Sequence, residues 1–191
     1  LIKNSLTGPM LKIKVMSVTK KDMLKDFERA LEFDQSAMFK KVYEEEYGTF
    51  GGAPFGALIG DFEFGNHPQD MALLESISQV AAAAHAPFLS AASSGMFGWD
   101  SYSEMSEVRD VAKIFDRTEY MKWRSFRESE DSRYVGLTMP HVLMREPYGA
   151  ATKPTESFRF EEDVDGKDHK KYLWGNAAYA MGTRLTEAFS M

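Results

Sequence analysis

The sequence contains no cysteine among its 191 residues. This absence excludes a disulfide-stabilised scaffold and any metal site built on thiolates. No apolar run approaches the roughly 20 residues that a helix needs to cross a bilayer. No signal peptide is visible at the start, and because the chain opens with Leu1 we expect it to begin inside a longer protein.

The motifs of common enzyme and cofactor classes are also missing. None of the four histidines has a second histidine three to five residues away, and the HExxH and GxSxG patterns do not occur. Gly48, Gly51 and Gly52 are not followed by Gly-Lys-Ser/Thr, so they predict a turn and not a phosphate loop. The acidic run 163–168 has its glycine at the wrong position for a calcium loop, which predicts a solvated turn.

The composition is that of a globular protein. Hydrophobic residues make up 43% and charged residues 27% of the chain, which is long enough to bury a sizeable core. We therefore expect one domain over residues 1–191. The formal net charge of −6 argues against nucleic acid as the main partner.

The pattern of apolar residues predicts alternating strands and helices. In residues 11–18, LKIKVMSV, apolar residues alternate with lysine and serine, which predicts a half-buried strand. Thr19 then predicts the N-cap of an amphipathic helix. Further strands are predicted over 54–64, 88–92 and 134–139. Further helices are predicted over 36–47, from Pro68 to a stop at Pro87, and over 108–115, 119–129 and 172–189. Residues 93–108 are predicted to form a loop and residues 147–168 a polar connection. Helical crossovers of this length favour parallel pairing, so we predict an α/β layered domain with a mixed or mostly parallel central sheet flanked by helices.

The residues alone leave two functional classes to consider, a metal-dependent hydrolase and a binding module. Asp61, His67 and Asp70 suggest the metal site of a hydrolase, but the favoured interpretation is that His67 caps a helix while Asp70 stabilises its first turn. The glycine-rich turn and the loop Ser93–Val108 suggest a module that binds a small molecule or a peptide. No set of nucleophile, base and orienting group accompanies either pattern.

The segment 122–134, KWRSFRESEDSRY, mixes arginines and acids with aromatic residues. It is compatible with a solvated helix face, with a strip that binds single-stranded nucleic acid, or with a protein–protein contact. Because the acids nearly cancel the arginines, the nucleic-acid interpretation is the weakest. The candidate interface residues are Arg124, Arg127, Glu128, Glu130, Asp131 and Arg133.

Several long strings resemble the large subunit of the type VI secretion contractile sheath. They are EFDQSA at 32–37, FKKVYEEE at 39–46, PFGALIGDFEF at 54–64, HPQD at 67–70 and ISQVAAAAHAPFLSAAS at 77–93. The most specific are KWRSFRESEDSRYVGLTMP at 122–140 and FEEDVDGKDHKKYLWGNAAYA at 160–180. The resemblance covers nearly the whole chain from about Leu11 onward.

The resemblance implies a structural protein of the cytoplasm with no catalytic residues, cofactor or metal. Its expected partners are a small sheath subunit, other copies of itself, an inner tube of hexameric rings, and a hexameric AAA+ ATPase that dismantles the contracted sheath. Neither nucleic acid nor membrane insertion is expected. In the family, contraction of the helical tubule drives the inner tube outward, as in phage tails. Because such subunits contact one another, the resemblance favours the interpretation of the segment 122–134 as an interface. Members of the family are longer than 191 residues, which predicts that this chain is an internal piece.

Overall fold

The computed structural model describes residues 11–164 and 166–190. Within these residues the α-helices are α1 Lys20–Arg29, α2 Ala37–Phe39, α3 Pro68–Ala83, α4 Met121–Glu128 and α5 Ala178–Ser190, and α2 continues as a π-helix over Lys40–Glu44. The strands are β1 Leu58–Phe64, β2 Phe88–Ala92, β3 Val135–Thr138, β4 Val142–Leu143 and β5 Trp174–Gly175. Short 3-10 helices lie at Phe33–Gln35, Ser94–Phe97, Tyr102–Glu107, Ala112–Asp116, Thr118–Tyr120, Glu130–Tyr134 and His169–Lys171.

Three strands form the central sheet in the order β1-β2-β3, and both pairings are parallel. The middle strand β2 is buried along its whole length. Phe88 and Ala92 belong to the main core with α3, whereas α5 also contacts all three strands. Since side chains alternate across a strand, the sheet is covered on both faces. The predicted α/β layered fold with parallel pairing is confirmed.

The core is built around α3, whose inward side chains are almost completely buried. Leu73, Leu74, Ile77, Val80 and Ala81 are each 0–1% exposed. Their spacing of three and four residues places them on a common side of the helix, which packs against the sheet and against α1 and α4. The helix begins where the sequence predicts, with Pro68 in its first turn.

A β-bulge in β1 is held by two buried polar side chains. The register of β1 against β2 shifts between Ile59 and Glu63, so the backbone between them leaves the regular ladder. The carbonyls of Gly60 and Phe62 instead accept hydrogen bonds from the Ser90 hydroxyl at 2.9 and 2.8 Å. The Asn176 side-chain amide donates to the same two oxygens at 3.2 and 2.9 Å. We call these four residues the bulge node.

The bulge node also begins the last helix. The side-chain oxygen of Asn176 accepts a hydrogen bond from the backbone N–H of Ala178 at 2.8 Å. An Asn at this position is a favourable cap for a helix N-terminus. One side chain therefore fixes α5 against a strand that lies 116 residues earlier in the chain.

The structure corrects several predictions. Residues 11–18 are not a strand, because the described residues provide no neighbouring strand whose backbone pairs with theirs. The last helix begins at Ala178 and not at 172, because Trp174–Gly175 pairs with Val142–Leu143 as a short antiparallel ribbon that the sequence did not predict. The predicted loop 93–108 contains the 3-10 helices Ser94–Phe97 and Tyr102–Glu107.

Other predictions are confirmed. Thr19 is the N-cap of α1 and accepts a hydrogen bond from the Asp22 backbone N–H. The glycine-rich segment is a turn, in which Gly51 has a φ of 78° that favours glycine. The strands at 58–64, 88–92 and 135–138 lie within the predicted ranges or within one residue of them.

Replacing Asn176 by alanine will destabilise the domain. The substitution removes both amide donors, so the carbonyls of Gly60 and Phe62 must share the single proton of the Ser90 hydroxyl. We expect a loss of about 2–3 kcal/mol in the free energy of unfolding, measured by urea denaturation.

The matched control is Asn66→Ala. The amide of Asn66 reaches only the Glu119 carbonyl, at 3.5 Å, so its removal should change stability by less than about 0.5 kcal/mol. Equal stability of the two variants would show that the bulge node does not hold the sheet.

Candidate interaction surface

The charged segment 122–134 folds as α4 followed by the 3-10 helix Glu130–Tyr134, and both elements pack on α3. Phe126 and Ser132 supply its buried side, with exposed fractions of 5% and 3%. The Tyr134 hydroxyl lies 3.2 Å from Nδ1 of His85, just beyond the end of α3. The aromatic residues of the segment therefore attach it to the domain, and its charged residues are left for the outer side.

Arg124 is the exception among the charged residues, because it is used inside the domain. Its Nη1 donates to the carbonyl of Phe115 at 2.6 Å and to that of Arg117 at 2.8 Å. These acceptors are at the end of the 3-10 helix Ala112–Asp116, where carbonyls have no partner within the helix. Arg124 thus fixes the preceding loop against α4.

Arg127 is exposed but also closes the turn after α4. Its Nη1 donates to the Ser132 carbonyl at 3.1 Å, and its guanidinium lies 5.8 Å from the ring of Trp123. In return, the Ser132 hydroxyl lies 3.1 Å from the Arg127 carbonyl, to which it can donate. The contacts orient the arginine without covering its outer side.

Three of the four remaining candidates, Glu128, Glu130 and Arg133, are exposed. Arg133 and Glu130 form an ion pair of 3.1 Å in which the side chains are 65% and 82% exposed. An exposed pair of this kind contributes about 0–1 kcal/mol. Glu128 is exposed and Asp131 half-buried, and neither forms an ion pair with another described residue. We call Arg127, Glu128, Glu130 and Arg133 the charged strip.

A second exposed feature is the arm, which we define as residues 142–175. Its two ends pair as the ribbon β4–β5, with Leu143 opposite Trp174. Its exposed large apolar residues are Leu143, Phe158, Phe160, Leu173 and Trp174, all between 41% and 63% exposed. Leu143 adjoins Trp174 and Phe158 adjoins Phe160, and adjoining exposed apolar residues are a feature of surfaces that bind other proteins. The sequence predicted a polar connection over 147–168 and a helix from 172, and the Phe-x-Phe pair at 158 and 160 was missed.

An ion pair braces the arm from inside. The guanidinium of Arg145 donates to both carboxylate oxygens of Glu162, at 2.8 and 2.6 Å, and lies 4.2 Å from the ring of Tyr148. The Tyr148 backbone N–H donates to the same carboxylate at 3.0 Å. The hydrogen bonds from Arg145 lower the pKa of Glu162 to about 2. A bidentate pair of this geometry is stronger and more directional than a single ion contact.

The residues suggested for a metal site have other partners. Nδ1 of His67 accepts a hydrogen bond from the Gln69 backbone N–H at 3.2 Å, which confirms the capping interpretation. Asp70 accepts from the Gly65 backbone N–H at 2.7 Å and forms an ion pair with Lys20 at 2.7 Å. Among the described residues, no group of three or more His, Asp or Glu side chains is arranged to hold a metal ion.

The loop suggested for a ligand site is folded onto the end of the sheet. The Tyr102 hydroxyl donates to the carbonyl of Ala92, and burial together with the charge of Glu63 raises the pKa of Tyr102 to about 12. Two open depressions of about 370 and 270 Å³ lie elsewhere, in the arm and between α1 and α3. Neither is lined by the glycine-rich turn or by the loop 93–108. In the part of the chain that the structure describes, no helix has the length and apolar character to cross a membrane.

Comparison with known proteins gives two matches. The family model VipB, described as EvpB/VC_A0108, tail sheath N-terminal domain, matches residues 1–191. The chain is also 50% identical over 193 residues to the type VI secretion system sheath protein TssC1 of Pseudomonas aeruginosa strain PAO1. That alignment covers 100% of this chain and 39% of the relative, so the chain spans about two fifths of the relative's length.

The ion pair between Arg145 and Glu162 in the arm predicts a specific pH dependence. Because the pKa of Glu162 is lowered on folding, its contribution to stability is complete above the ordinary value of 4.5 and is lost as the pH falls towards about 2. The Tyr148 amide proton, which donates to this carboxylate, should therefore titrate by NMR with a midpoint near 2.

Substitution of Glu162 tests the same ion pair. Glu162→Gln should abolish this titration and accelerate amide exchange at Tyr148 by about tenfold or more, since the charge-assisted bonds are lost. Glu161→Gln, a change at the neighbouring exposed carboxylate, should leave both unchanged. A Tyr148 midpoint near 4.5 in the unmodified chain would refute the brace.

Proposed function

The chain belongs to the VipB tail sheath family, and from this we propose that it is a structural part of the large subunit of a contractile type VI secretion sheath. In this proposal it assembles in the cytoplasm with a small sheath subunit and with further copies of itself. The tubule surrounds an inner tube of hexameric rings, and a hexameric AAA+ ATPase dismantles it after contraction. The 191 residues are one α/β portion of that longer subunit.

The single observation that supports the proposal most strongly is the 50% identity to a type VI secretion sheath protein along the whole of this chain. The alignment spans the core, the charged strip and the arm alike. The relative is a sheath component, and a structural role therefore fits this chain better than catalysis. The hydrogen bonds and ion pair that engage His67 and Asp70 within the domain agree with this.

The geometry suits a subunit of a helical tubule. Helical symmetry requires heterologous contacts, in which each copy offers different surfaces to different neighbours. The charged strip and the arm are two such surfaces with different chemistry, one of mixed charge and one with exposed aromatic side chains. Complementary charges fix the register of a contact more than they raise its affinity.

Contraction is then a switch between two packings of the same rigid subunits. A domain in which both faces of the sheet are covered can transmit force between neighbours without unfolding. Each exposed ion pair contributes little, so neighbours joined by such pairs can exchange partners at small cost. The chain itself carries out no chemical step in this mechanism.

Electron microscopy tests the function directly. We expect negative-stain images of the full-length parent protein, co-expressed with the small subunit encoded beside it, to show hollow tubules. If both proteins are folded yet give only discrete small particles, the sheath function is wrong and the enzyme and binding-module hypotheses return.

The charged strip makes a further prediction within the same system. We propose that Arg127 and Arg133 pair with acidic residues of adjacent subunits, or of the remainder of the large subunit, and that Glu128, Glu130 and Asp131 meet basic ones. Arg127→Glu in the full-length protein should then reduce tubule yield about tenfold or more, while the lost hydrogen bond to the Ser132 carbonyl lowers stability by only about 1 kcal/mol.

Two other substitutions separate assembly from folding. Arg124→Ala should instead lower stability by about 2 kcal/mol, because two carbonyls lose a charged donor. Lys113→Glu, at a side chain 78% exposed and 4.0 Å from Asp110, should leave both assembly and stability unchanged. Normal tubules from the Arg127→Glu variant would show that the charged strip is only a solvated face.

A further inference from the structure

The segment 11–18 has the sequence of a strand but no backbone partner. Its apolar residues alternate with lysine and serine, the pattern of a strand with one covered face. In the structure it has no regular secondary structure, and none of its backbone N–H or C=O groups forms a hydrogen bond with another described residue. The backbone is thus open to pairing along its length.

The apolar side chains of this segment are exposed, although its sequence predicts a covered apolar face. Lys14 is directed towards the domain, where it pairs with Glu46 and lies 5.6 Å from the ring of Phe55. Ile13 and Val15 are 51% and 91% exposed. Since apolar side chains are normally the covered ones, this face lacks the partner that its composition predicts.

The segment runs beside the outer edge of the central sheet. Lys14 lies next to Phe55, just before β1, and Lys20 reaches the end of β1, where it donates to the Glu63 carbonyl at 2.7 Å. Among the described residues, β1 pairs only with β2, so no strand pairs with its other edge. The unpaired backbone of residues 11–18 and the exposed side chains of Ile13 and Val15 lie near this edge.

We propose that this edge is an acceptor site for an extended segment from the part of the sheath large subunit that lies outside these 191 residues. The incoming segment pairs its backbone with residues 11–18 and covers Ile13 and Val15 with apolar side chains. Between these it carries acidic residues that meet Lys12, because Lys14 is already paired with Glu46. The inference rests on the proposed function, since it assumes a longer sheath chain.

The source of the segment follows from chain length and from entropy. The alignment covers only 39% of the relative, so most of a full-length chain of that kind lies outside this portion. For a segment of the same chain, pairing requires only loop closure, whose entropy cost grows slowly with loop length. Recognition by backbone pairing with alternate side-chain contacts is a common mode of strand addition.

Hydrogen exchange with mass spectrometry on the full-length large subunit, co-purified with its small subunit, tests the site. The unassembled fraction from size-exclusion chromatography and the assembled tubules are measured separately. We expect amides 12–17 to exchange about 100-fold more slowly than an unpaired chain already in the unassembled fraction. Slow exchange only in the tubules would overturn the proposal, because the segment would then come from another subunit. Fast exchange in both samples would overturn it as well.

A matched pair of substitutions in the same full-length protein sharpens the test. Val15 and Leu31 are almost equally exposed in this structure, at 91% and 89%, so an aspartate at either should be equally harmless if both faced solvent. We expect Val15→Asp to restore fast exchange at residues 12–17 and to lower the melting temperature by about 5 °C. Leu31→Asp should do neither. Equal behaviour of the two variants would overturn the proposal.

Because both readouts are taken before assembly, they do not depend on tubule formation. Protection of residues 12–17 without tubules would refute the sheath function and leave the acceptor site standing. Tubules without protection of this segment would refute the acceptor site alone.

Discussion

The bulge node is the constraint on which the arrangement of this domain depends. A bulge in β1 takes the carbonyls of Gly60 and Phe62 out of the ladder, and a buried carbonyl without a donor is costly. Ser90 and Asn176 supply the donors from β2 and from the start of α5. The two covered faces of the sheet are therefore tied together through one cluster of hydrogen bonds. The close packing at Gly60 adds to this, because a Cβ there would lie 2.5 Å from the ring of Phe88.

The same cluster fixes both ends of the arm. On one side the arm follows β3, where the Thr138 hydroxyl donates to the Ser90 carbonyl at 2.8 Å. On the other side it leads directly into Asn176. An isolated two-stranded ribbon is marginally stable in water, and β4–β5 contains only two residues in each strand. Its anchored ends and the pair between Arg145 and Glu162 provide the order that the ribbon alone could not.

The charged residues of the domain form two groups, those bonded within the domain and those exposed to solvent. Arg124 and Arg145 are committed to backbone carbonyls or to a bidentate carboxylate, where their charge holds a loop in place. Arg133 and Glu130 pair with each other in solvent, where the interaction is weak. Exposed charges that contribute little to folding remain available for contacts between subunits, as a sheath that changes its packing requires.

The sequence by itself determined the class of fold, the caps at Thr19 and His67, the buried stripe of α3 and the family, because these depend on local periodicity and on long matching strings. Tertiary structure alone decided the bulge node, the β4–β5 ribbon and the separation of Arg124 from the other arginines of its segment. Each joins residues far apart in the chain or depends on which carbonyl lies within reach of a side chain. Residues 11–18 illustrate the same limit. Alternation of apolar and polar residues predicts which face of a strand is covered, but the strand forms only where a neighbouring backbone pairs with it.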